Sequence, residues 1–250
     1  MTADSPANPS SDPGRWIRAA LVLFPAGTVL LGIASFGIWQ WNKDREADRS
    51  FQYAQALKRE ISLGGLEKHE NLLRGVLKQP DAMQAVPGYL RSTMGEENMG
   101  YTVRRQRYDS TAGEHALVDA ELSGKRMPRE IVLVLAPYAA GDESGARALA
   151  VMLGIAHEVT GMARLRTLRF AALPAGEVSW KMLADQMREG GERLMQVHVL
   201  GEPPANLDAV LNTKATGTVV ETITLPATTL DAVTLAQSLK QKLLEESGEP

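Results

Sequence analysis

The chain has 250 residues, 44% of them apolar and 23% charged, enough for one α/β domain with additions. A net charge of −3 and an aromatic content of 5% give no electrostatic or stacking case for nucleic acid. With no cysteine, disulfides, thiolate–zinc sites and thiol catalysis are excluded, and imidazole chemistry must draw on His69, His115, His157 or His198.

Residues 1–14, "MTADSPANPSSDPG", are rich in Pro, Ser and Asp and read as a disordered tail. Residues 15–43 read as one transmembrane anchor. Ala19 to Asn42 carries no charge, a bilayer core needs about 20 apolar residues in a helix, and Trp16, Trp39 and Trp41 sit near its ends. A cleaved signal peptide would have a shorter apolar run and a small-residue cleavage site, whereas "GIASFGIWQW" places bulky tryptophans there. Lys and Arg flank both sides similarly, so the positive-inside rule barely decides orientation.

Residues 44–65 read as a polar juxtamembrane helix, and residues 66–250 as the folded domain. "LEKHENLLRGVLKQ" has its leucines at helical spacing and stops at Pro80; "DAMQAVPGYLRSTMGEEN" is a second short helix. The period then changes. "GYTVRRQRYD" and "HALVDAELSG" read as strands, and "EIVLVLAPY" is nearly all apolar, as a strand covered on both faces must be. Helix "SGARALAVMLGIAHEVTG", strand "RTLRFAAL", helix "VSWKMLADQMREGG" and strand "RLMQVHVLG" follow. A loop "EPPANLD", a strand "TGTVVETITL" and a helix "LDAVTLAQSLKQKLLEE" complete the chain. This alternation predicts an α/β fold, a mostly parallel mixed sheet with helices on both faces.

The order of these pieces from Leu66 to Gly201 resembles the di-zinc aminopeptidase family of bacterial leucyl aminopeptidases and glutaminyl cyclases. "YLRSTMGEENMGYTVRRQRYD" resembles that family's helix, "GY-x-V" and first strand, and "ESGARALAVMLGIAHEV" its "A-S-G" helix. "RTLRFAALPAGE" resembles its "R-T-I-R-F" strand and Glu-Glu turn, and "ERLMQVHVLGE" its strand ending "L-D-M-x-G". The resemblance implies two metals that generate hydroxide and hold the attacked carbonyl. It also shows where this chain departs. The first His position is Pro137, followed by Tyr138 and Ala139. The bridging Asp corresponds to Asp142, across a shortened turn. The Glu-Glu pair falls on Gly176 and Glu177, so the base is missing. The next Asp falls on His198, and no histidine follows for the last ligand.

Asp142, Glu177 and His198 are therefore the candidate remnant metal set, and one Asp, one Glu and one His can hold zinc with an open position. The bland reading makes Asp142, Glu143 and Glu177 acids at helix starts and His198 a half-buried, hydrogen-bonded strand residue. "HEVTG" (His157–Gly161) lacks the second His of a zinc-protease helix, so Glu158 is expected on a solvated helix end. "EKHE" (Glu67–Glu70) is expected to be a solvated face. The clusters Arg104, Arg105, Arg107 and Arg164, Arg166, Arg169 are expected to be ordinary surface. There is neither a Gly-x-Ser-x-Gly elbow nor a phosphate loop.

The expectation is a single-pass membrane protein with its domain on the outer side of the membrane. That domain is expected to be a catalytically inactive, aminopeptidase-like module for binding or scaffolding, with a protein or peptide partner at the C-terminal edge of the sheet. The alternatives are a single-zinc aminopeptidase-type hydrolase on Asp142, Glu177 and His198, and a structural component of a membrane complex.

Overall fold

A computed structural model describes residues 61–110, 113–204 and 206–249. The expected anchor at 15–43 lies outside these residues, and no helix among them is long and apolar enough to cross a membrane. Helix α1 (Leu63–Leu77) is capped by Ser62, whose Oγ accepts the Gly65 N–H at 3.2 Å. It begins three residues before the boundary expected from sequence, and Ile61 is already in the core. Helix α2 (Ala82–Met94) carries Pro87 in its interior. Strands β1 (Thr102–Ser110), β2 (Gly113–Leu122) and β3 (Met127–Tyr138), helix α3 (Glu143–Val159), strand β4 (Arg166–Pro174), helix α4 (Glu177–Glu189) and strand β5 (Arg193–Leu200) follow. Two single-turn helices, α5 (Leu207–Val210) and α6 (Thr213–Thr216), precede strand β6 (Val219–Ile223) and helix α7 (Thr229–Ser247).

The six strands form one mixed sheet in the order β1-β2-β4-β3-β5-β6. β3 pairs in parallel with β4 and β5, and β5 with β6, while β2 is antiparallel to β1 and β4. Central β3 is buried from Ile131 to Ala136 because both of its faces are covered. On one face Val132, Val134, Ala136, Leu168 and Phe170 meet α1, α2, α3 and α7. On the other, Leu133, Leu135 and Leu173 meet Trp180, Leu183 and Met187 of α4, with Leu207 and Leu211 alongside. Of the helices, α3 is the most buried, because it lies between the sheet and the α1/α7 layer.

Candidate functional site

In sheets of this kind ligands bind beyond the carboxyl ends of the parallel strands. Tyr138 closes β3 with its side chain buried; its hydroxyl donates to the Ala116 carbonyl at 3.4 Å, and burial pushes the phenol far above its ordinary value. The Tyr138 carbonyl accepts the Ala175 N–H at 2.7 Å, which joins the exits of β3 and β4. The turn after β3 is pinned as well, since Gly141 N–H donates to the Leu77 carbonyl at the end of α1 at 2.8 Å. Gly145 brings the start of α3 so close that a Cβ would lie 2.9 Å from the Tyr138 Cα.

Around the strand ends the three candidate ligands take separate places. Asp142 is the N-cap residue of α3 and is half-buried; its carbonyl accepts the Ala146 N–H at 3.1 Å, but its carboxylate makes no capping bond. Glu177 is the exposed first residue of α4 and follows Gly176, whose φ of 133° suits glycine. His198 lies within β5 opposite Val134, four residues short of Tyr138 in the β3 register, which is about 13 Å at ~3.3 Å per residue.

His198 is fully buried, not half-buried as the strand pattern suggested. Its Nδ1 meets Glu221 Oε2 at 2.8 Å and its Nε2 meets Glu246 Oε2 at 2.6 Å. Neutral imidazole carries one N–H and ionised carboxylates only accept. Both bonds therefore form together when the ring holds two protons or one carboxyl keeps its own. The two carboxylates flank opposite edges of the ring, and Lys242 Nζ donates to Glu221 at 2.6 Å. The Lys242 bond, with the adjacent His198, holds Glu221 below the usual carboxylate value. A zinc ion needs an imidazole nitrogen with a free lone pair. Among the described residues no group of three or more His, Asp or Glu is placed to hold a metal. The donor set at the strand ends does not fit the ion that the resemblance implies.

Three charged sites differ from the expectation of ordinary surface. Glu70 is buried; its Oε1 accepts from Arg74 at 2.7 Å and from Arg147 at 2.9 Å, and its Oε2 from Thr229 at 3.1 Å, joining α1, α3 and α7. Glu158 is only 11% exposed, accepts the Ile61 N–H at 3.2 Å and pairs with Lys240. Arg169, 1% exposed, donates to Glu192 at 2.6 and 2.5 Å and to Glu121 at 2.9 Å, while Arg104 donates to the fully buried Asp119 at 2.9 Å. Burial pushes the Glu121 carboxyl up, but Arg104 and Arg169 hold it below its ordinary value. A sequence signal existed for this last cluster: Asp119 and Arg169 interrupt strands that are otherwise apolar, and a buried charge demands a partner.

No protein-family model matches the sequence, and comparison with curated proteins finds no match. Among solved structures, the chain is similar to the glutaminyl cyclase of Fimbriiglobus ruber, with 13% identity and a TM-score of 0.47 over 56% of this chain and 61% of that one. It is also similar to a Zn-dependent exopeptidase from Parabacteroides distasonis, with 8% identity and a TM-score of 0.47 over 72% and 82% of the two chains. A leucine aminopeptidase precursor from Bacteroides thetaiotaomicron gives 10% identity and a TM-score of 0.47 over 73% and 84%. The chain spans about three fifths of the length of the Fimbriiglobus enzyme.

Proposed function

We propose that this is a peptidase-like domain without hydrolytic metal chemistry, serving as a binding or scaffolding module. We place it on the outer side of a membrane, held by an anchor at residues 15–43. The observation that carries the proposal is the commitment of His198. It is the only histidine on the parallel strands, and both of its ring nitrogens already face carboxylates. The alternative hydrolase on Asp142, Glu177 and His198 requires His198 to leave both glutamates.

The test is the zinc content of protein purified without chelator or affinity metal and then incubated with zinc and dialysed. The expected content is far below one ion per chain, with no peptide hydrolysis that tracks added zinc. One zinc per chain, abolished by His198→Ala, would overturn the proposal and restore the hydrolase.

A further inference from the structure

The lateral edge of the sheet offers a surface quite apart from the strand ends. β1 is an edge strand of nine residues, paired only with β2. Among the described residues no other backbone bond reaches its outer side. Beside it runs a groove of about 660 Å³, lined on one wall by Gly88, Arg91 and Ser92 of α2 and on the other by Thr102, Val103 and Arg105 of β1. The two faces of β1 carry different charge states. Arg104 is spent, bonded to Asp119 and Glu121. Arg105 and Arg107 point to the opposite face, towards α2, two residues apart. Arg105 has a buried Nε with no hydrogen-bond partner, and neither Arg91 nor Arg105 forms an ion pair among the described residues. Arg107 has only a long, exposed pair with Glu114 at 3.3 Å.

We propose that β1 and this groove bind an extended peptide as a seventh strand, with acidic side chains at alternate positions set against Arg105 and Arg107. An added strand is held by main-chain bonds, and residues two apart on one face choose its side chains. Opposite charges directly across two strands favour the pairing. Glu96 and Glu97, in the loop leading into β1, line the same groove, so the acidic residues belong at the Arg105 end and not beside that loop. The inference does not depend on the fate of the metal site.

The probe is a fluorescent nonapeptide alternating glutamate with valine or threonine, titrated into the full chain and followed by anisotropy. Binding is expected, with a loss of about tenfold or more for Arg105→Glu, recovered when the facing glutamate is changed to lysine. On the unaltered protein, N-methylation of one alternating set of peptide amides should abolish binding while methylation of the other set leaves it intact. No binding, affinity unchanged in Arg105→Glu, or equal effects of the two methylation patterns would each overturn the proposal.

Discussion

Replacing Arg169 with leucine tests whether the buried charges on the α4 face are mutually satisfied. The guanidinium is 1% exposed and holds Glu192 through two bonds and Glu121 through one, with its Nε 3.7 Å from Asp119. Leucine fills part of the volume but leaves Asp119, fully buried, with Arg104 alone, and strips Glu192 of its partner. Removing one member of a buried ionic network costs about 3–5 kcal/mol, because the remaining charge stays out of water uncompensated. A domain of this kind is stable by about 5–15 kcal/mol, so the variant should fold but unfold at much lower denaturant. Urea titration of the fragment Phe51–Pro250, followed by the fluorescence of Trp180, its sole tryptophan, reads this directly. The midpoint should fall with little change in slope. Asp119→Leu added to Arg169→Leu should recover part of the loss. A loss below about 1 kcal/mol for the single variant would refute the claim that Arg169 holds these buried carboxylates in one network.

Acidification should destabilise the domain in two stages. Burial, together with the charges of His157 and Lys68, lowers the His69 pKa below 6.5, so its contribution is complete above that pH and is lost as pH falls through the folded value. Glu221 is held below 4.5 by Lys242 and His198, so its contribution is complete above 4.5 and disappears at still lower pH. Urea midpoints against pH should lose the first limb in His69→Gln; the second should shrink but persist in Glu221→Gln, because Glu121 is also held below its ordinary value; unchanged profiles would contradict the assignment. Gly124→Ala should be strongly destabilising, by about 2 kcal/mol or more, because a Cβ would meet Leu165 O at 2.6 Å and Arg166 C at 2.5 Å, where only backbone can give way. A thermal midpoint matching the parent would show that the β2–β3 connection relaxes freely.

The strands and helices were legible because their signal is local. Ile131 to Ala136 must be apolar to lie between two layers, and "SGARALAVMLGIAHEV" must be small and apolar to pass between sheet and helices. Which residues stand at positions 137 and 176, Pro and Gly, could likewise be read from single positions. Charge pairing could not. Glu70 meets Arg147 across 77 residues, Arg169 meets Glu121 across 48, and His198 meets Glu246 across 48. An acid in "EKHE" looks solvated until the layer that covers it is known. The same holds for His198: alternation placed it on a strand and chemistry made it a candidate ligand. Only the packing of β6 and α7 against β5 put a carboxylate on each of its nitrogens, because burial and partner choice are properties of elements brought together from distant parts of the chain.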